Sequence, residues 1–179
     1  AGGPTTPELI AAVGEAGGLG MIGSGYLDAA GTSARPAVRF DCAHHAGAMI
    51  APLIFGFEQG AFAGAFERRT GVLAQADGGT LIIANAHRLP ADAQARLAEW
   101  LRSGWLTPFG GAQPQRAEVR LIACTATNLR TLAARHAMRD DLAARMSVVE
   151  IGVPPLRDRR DDIADLARGA LTELHAAVP

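Results

Sequence analysis

Lysine is missing from this sequence: all 17 of its basic residues are arginine. Schiff-base lysines, catalytic lysine bases and the phosphate-binding lysine of a P-loop are therefore excluded. Cysteine is scarce, with only Cys42 and Cys124, each inside an apolar stretch. That usage fits buried thiols in a reducing compartment, so a cytoplasmic setting is expected and a disulfide is not. No apolar run reaches the ~18 residues that a membrane-spanning helix needs. No basic stretch followed by a long apolar one opens the chain at Ala1, so no secretory leader is expected. A strong excess of either charge is lacking too. The formal net charge of −1 argues against a basic nucleic-acid face on this domain.

What is present suffices for a core. The chain has 179 residues, 49% of them hydrophobic and 20% charged, which fits one domain or one domain with a fragment of a second. Charge is uneven: residues 1–57 carry only Glu8, Glu15, Asp28, Arg35, Arg39 and Asp41. Leu9, Ile10 and Val13 share one face of a short helix over 7–16, but residues 9–13 read equally as a strand entering a glycine loop. After Pro36 the spacing predicts strands over 37–42, 80–83, 119–124 and 148–153, the last stopped by Pro154 and Pro155. Helices are predicted over 46–55, 90–102, 129–135 and 161–174. The 90–102 helix carries Leu89, Ala93, Leu97 and Leu101 at i, i+4 spacing. Strands alternating with helices imply an α/β fold with a mostly parallel sheet.

Four phrases in the order and spacing of one family lie between Pro36 and Leu166. Phe55-Gly56-Phe57-Glu58-Gln59-Gly60-Ala61-Phe62-Ala63-Gly64-Ala65 resembles the signature FGHEKGAFTGA. Gln75-Ala76-Asp77-Gly78-Gly79-Thr80-Leu81 resembles the run that opens a Walker B strand. Arg139-Asp140-Asp141-Leu142 with Arg145 resembles an arginine-finger segment. Pro154-Pro155-Leu156-Arg157-Asp158-Arg159-Arg160-Asp161-Asp162-Ile163 resembles PPLRERREDI, the entry to a helical lid. Together they resemble the AAA+ ATPase domain of NtrC-like activators of sigma-54 RNA polymerase. The resemblance implies a three-layer αβα Rossmann-like core, ring assembly, and a loop at Gly60, Ala61, Phe62, Ala63, Gly64 and Ala65 that touches the sigma factor. It divides the chain into residues 1–35 with a P-loop region, an αβ core over 36–158, and the start of a lid over 159–179. Because no GNVREL motif follows, the expected lid is cut short.

The departures fall where the family's chemistry sits. Gly14, Glu15, Gly17, Gly18 and Gly20 stand about where the family has GESGTGK, but Gly20 occupies the lysine position and Met21 follows it. A P-loop needs that cation for the phosphates and a hydroxyl for Mg²⁺, so weak ATP or ADP binding is the most this loop would offer. The Walker B strand ends in Ala84-Asn85 instead of an acidic pair, and neither side chain is a general base. The sensor asparagine maps to Ala126, with Asn128 two residues on. The asparagine that the family sets before its first-strand cysteine maps to Asp41. Arg139 and Arg145 remain, and the resemblance implies that they reach a neighbouring subunit's nucleotide. Surface ion pairs of both arginines with Asp140, Asp141 or Glu150 are the alternative. The threonine of the loop motif is Ala63, which removes a hydroxyl contact to the sigma factor. For Phe62 the choice is between an exposed apolar tip and a buried ring in an ordinary turn.

A second resemblance covers residues 1–28, from Ala1-Gly2-Gly3-Pro4 through Gly17-Gly18-Leu19-Gly20 to Gly25-Tyr26. It is similar to the opening of nitronate monooxygenases, FMN-dependent TIM barrels, and supplies one of eight barrel units. Cys42, His44 and His45 form a C-x-H-H cluster without a second ligand pair at zinc spacing, so no metal site is expected. His87 and His136 are isolated, and Gly23-Ser24-Gly25 lacks the spacing of a nucleophile elbow. Trp100 and Trp105 flank Gly104 in what the resemblance makes a second pore-side insertion; core aromatics are the other reading. The expected function is therefore regulatory: a sigma-54 activator domain, ATPase-deficient, acting as an assembly or interaction module. Its partners would be sigma-54 RNA polymerase or a homologous AAA+ subunit, in a homo- or hetero-oligomer, with DNA reached only through domains outside this chain. The rival readings are an active ATP-driven remodeller and a flavin-enzyme fragment.

Overall fold

The computed structural model describes residues 35–177, which fall into two compact units divided between residues 149 and 150. In the first unit three strands form a parallel sheet in the order β1 (Ala37–Asp41), β4 (Thr80–Ala84), β7 (Arg120–Ala123). The register pairs Asp41 with Ala84 and Ile83 with Ala123, so the three strands end together along one sheet edge. Leu81, Ile82, Ile83 and Ala84 of β4 are buried, as a continuous apolar run in a central parallel strand should be.

The crossovers are helical. Helix α1 (Gly47–Phe55) links β1 towards β4 and is buried from Ile50 to Phe55. Helix α3 (Ala91–Ser103) links β4 towards β7, burying Ala93, Gln94, Leu97, Ala98 and Trp100. The two helices, one from each successive crossover, touch each other. The short helix α2 (Val72–Gln75) precedes β4. Helices α4 (Leu129–Ala134) and α5 (Asp140–Met146) follow β7 and pack on each other. Two antiparallel ribbons of two residues per strand interrupt this pattern. One joins β2 (Gly56–Phe57) to β3 (Arg69–Thr70), the other β5 (Trp105–Leu106) to β6 (Gln115–Arg116).

Most sequence-based elements lie within a residue or two of their expected ends; the helix expected over 161–174 runs on to Ala177, and one expected strand is absent. The strand expected over 148–153 is absent: these residues form no strand, and Val148 and Val149 are 82% and 75% exposed. In the second unit, helix α6 (Ile163–Ala177) follows a 3-10 turn over Arg160–Asp162. Among the described residues no helix is long and apolar enough to cross a membrane.

Candidate functional site

Parallel α/β sheets bind ligands beyond the carboxyl ends of their strands, and among the described residues that edge is polar but offers few catalytic groups. Ala84 is buried at the end of β4. Asn85 follows in the left-handed conformation with φ 53°, a backbone state that asparagine tolerates better than most residues. This turns its side chain across to β1, where Asn85 Nδ2 donates to Asp41 Oδ1 at 2.8 Å. The same oxygen accepts the Ala43 amide at 2.9 Å and caps the 3-10 turn over Cys42–His44. Burial pushes the Asp41 carboxyl up. The bonds from Asn85 and Ala43, with the charges of His44 and Arg39, outweigh it and hold the group below its ordinary value. The carboxylate at this edge thus sits on β1, saturated by donors, while β4 ends in an alkyl group and an amide.

The neighbouring candidates are structural in their contacts. Cys42 is fully buried, and burial with the nearby Asp41 charge raises its thiol to about 12, which keeps it protonated and a poor nucleophile near neutral pH. His45 stacks on Phe40, with centroids 4.8 Å apart. His87 Nδ1 lies 3.4 Å from Thr125 Oγ1 at the end of β7. Asn128 caps α4 through its side chain. No group of three or more potential metal ligands exists among the described residues. Gly14, Glu15, Gly17, Gly18 and Gly20 lie outside the described residues, as do Gly23, Ser24 and the whole 1–28 segment.

The glycine-rich loop is a closed turn. Gly60 N–H donates to Ala65 C=O at 2.8 Å and Ala65 N–H to Phe62 C=O at 3.0 Å. Gly60 and Gly64 have φ of 78° and 101°, which L residues rarely adopt, so both glycines are needed for this shape. Phe62 is half-buried, edge-on to Phe57 with ring centroids 5.1 Å apart. The aromatic standing in solvent is Phe66, at 82% exposure, followed by Glu67, Arg68 and Arg69. Sequence reasoning passed over Phe66, although a large apolar residue heading a charged run was a usable signal.

The hairpin from β5 to β6 leans on this loop. Phe109 forms a parallel bridge with Phe57, donating to Gly56 C=O and accepting from Glu58 N–H, both at 2.9 Å. Of the two tryptophans, Trp100 is core, its indole N–H donating to Ala117 C=O at 3.2 Å, and Trp105 is half exposed on β5.

Arg139 and Arg145 flank α5. The Arg139 backbone N–H donates to the buried Gln94 Oε1 at 2.9 Å. Its guanidinium is forked onto Asp141, with Nε–Oδ1 at 2.9 Å and Nη2–Oδ2 at 2.8 Å, both side chains about half exposed. Arg145 lies in the last turn, exposed, with Glu99 the carboxylate that feels its charge.

Residues 6–152 match the model of a family described as the Sigma-54 interaction domain, a span that takes in most of the stretch similar to nitronate monooxygenases. The DNA-binding transcriptional regulator NtrC of Rhizobium meliloti is 44% identical over 120 residues, 67% of this chain and 25% of NtrC. The Nif-specific regulatory protein of Azotobacter vinelandii is 36% identical over 168 residues, 93% of this chain and 32% of that protein. Among solved structures, NtrX from Brucella abortus in complex with ATP superposes with a TM-score of 0.68 at 28% identity, covering 80% of this chain and 30% of NtrX. The chain spans about a quarter to a third of the length of these relatives.

Proposed function

The chain belongs to the sigma-54 interaction domain family, and from that premise we propose that it is an ATPase-deficient member whose work is assembly and contact. It is a regulatory domain of the sigma-54 activator type with the α/β core of the AAA+ activators. The observation that carries the deficiency is the end of β4. Ala84 offers nothing to a metal shell, and Asn85 spends its amide on Asp41 at 2.8 Å instead of presenting a base to water. Gly20 in the lysine position points the same way. Nucleotide binding, if retained through the glycines of residues 14–20, would be weak and indifferent to Mg²⁺. Contact with the sigma factor would run through Gly60–Ala65, whose turn supports that role, but without a hydroxyl at Ala63.

Phosphate release and a nucleotide titration with and without Mg²⁺ test this. The expected result is no turnover above a heat-treated control, because losing base and metal shell removes several orders of magnitude in rate at about 1.4 kcal/mol per tenfold. Steady turnover of about one per minute or more, free of contaminating ATPase, would reject the reading, since deficiency of this kind leaves far less.

A further inference from the structure

Arg96 lies midway along α3, between core residues Ala93 and Leu97, and its head group is engaged on three sides. The guanidinium carbon stands 3.8 Å from the Phe109 ring centroid and 5.8 Å from that of Phe55. Its Nη1 donates to the Thr107 carbonyl at 3.1 Å. A flat, delocalised cation can lie against ring faces while one of its N–H groups donates to a carbonyl, a combination that a compact ammonium serves less well.

Thr107 and Phe109 belong to the segment between β5 and β6, and that segment is the abutment of the glycine-rich loop. Phe109 is bonded through both backbone groups to Gly56 and Glu58 at the loop's base. Gly110, with φ 72°, lies so close that a Cβ on it would come within 2.9 Å of the Ala61 Cβ. Phe57, held in the bridge to Phe109, carries Phe62 against its ring. The bonds within Gly60–Ala65 fix the shape of the loop, but not where it stands. That is set by its base, which on one side has the two-residue strand β3 and an exposed Arg68–Glu58 ion pair at 3.2 Å, and on the other has Phe109 under Arg96.

We propose that Arg96 is the positioning residue of the Gly60–Ala65 loop, clamping the 105–116 hairpin against the loop's base so that the loop is presented to the sigma factor in one orientation. The presentation half of this inference rests on the sigma-54 reading above; the clamp itself does not. Arg96 touches no partner. It acts through Phe109, and its loss frees the hairpin and loop as a pair while the sheet beneath is untouched.

Hydrogen exchange on the full chain reads the clamp without any partner. In Arg96→Ala the amides of Glu58, Gly60 and Phe109 should exchange about tenfold faster, with those of β4 unchanged, as expected for local opening. Arg96→Lys, which keeps charge but loses the planar guanidinium face, should fall between. Phe109→Leu, which keeps the apolar bulk and removes the ring face, should reproduce the effect if Arg96→Ala does not fold. Unchanged loop exchange in either folded variant, or a rise shared equally by β4, overturns the clamp. Affinity for sigma-54 is then measured for wild type, Arg96→Ala, Phe62→Ala and the double variant. A loss of about tenfold in Arg96→Ala, with no further loss when Phe62→Ala is added, supports presentation through the loop. Additive losses overturn presentation. Wild type that does not bind sigma-54 while the exchange result holds leaves the clamp standing and defeats the sigma-54 reading.

Discussion

Asp41 and Asn85 carry the polar end of the sheet between them, and the direction of their hydrogen bond has consequences. Asp41 Oδ1 accepts two N–H donors, from Asn85 and Ala43, so Asp41→Ala removes the hydrogen bond to a half-buried amide and the turn cap at once. The expected cost is about 1–3 kcal/mol, read as a lower urea midpoint at pH 7. Because the folded-state carboxyl is held below its ordinary value of 3.8, its contribution is complete above that value and is lost as pH falls through the lowered one. The gap between wild type and Asp41→Asn should therefore close in acid; a gap that widens there contradicts the assignment. Asn85→Glu is the instructive converse. It replaces a donor by a second carboxylate within hydrogen-bond reach of Asp41, and should destabilise by about 2 kcal/mol, most of it recovered when Asp41→Asn is combined with it. Equal destabilisation with and without Asp41→Asn would mean that the two side chains are not coupled.

At the scale of elements, periodicity sufficed where an element's own residues decide its state. β4 is an apolar run ended by polar residues, and α3 an amphipathic stripe closed by Gly104 in the left-handed conformation. The two ribbons were not legible, because strands of two residues carry no pattern of their own and are held only by their backbone pairing. The candidate site was legible to the same degree. The place of Ala84-Asn85 and the need for Gly60 and Gly64 follow from the sequence. The turn of Asn85 towards Asp41, 44 residues away, and the seat of Arg96 between Phe55 and Phe109 do not. The 148–153 run failed for the opposite reason. Val148-Val149-Glu150-Ile151 has strand composition, but β-propensity measures fit to a half-buried pleated surface, and Val148 and Val149 have none around them. Changing both valines to serine should shift stability by no more than about 0.5 kcal/mol and reduce self-association at high concentration. A loss of several kcal/mol on unfolding would show that this run is a paired strand in solution.

For the whole molecule, the ATPase deficiency proposed above makes the decisive matter what such a domain could give to a ring. Arginines proposed to act on a neighbour's nucleotide could work without a complete site of their own, and the two candidates, Arg139 and Arg145, stand at the start and in the last turn of α5. Their present contacts make them unequal. Arg139 is forked onto Asp141 and anchored through its backbone to Gln94, so engaging a phosphate in trans first requires giving up a bidentate carboxylate. Arg145 is exposed in the last turn, without a hydrogen bond or close ion pair among the described residues, and reorients at little cost. If this chain joins a ring with a hydrolytically competent relative, Arg145 is the residue to contribute at the shared interface, where such a finger is worth about 10³–10⁵ in rate. Titrating the chain into an active sigma-54 activator that lacks its own finger should restore phosphate release. Arg145→Ala should abolish the rescue, and Arg139→Ala should reduce it less. Asp141→Asn, which loosens the hold on Arg139, should raise it. Rescue that is indifferent to both arginines, or no rescue although mixed rings are seen by native mass spectrometry, means that the pair serves only the surface of α5 and that the chain contributes no chemistry to its neighbour.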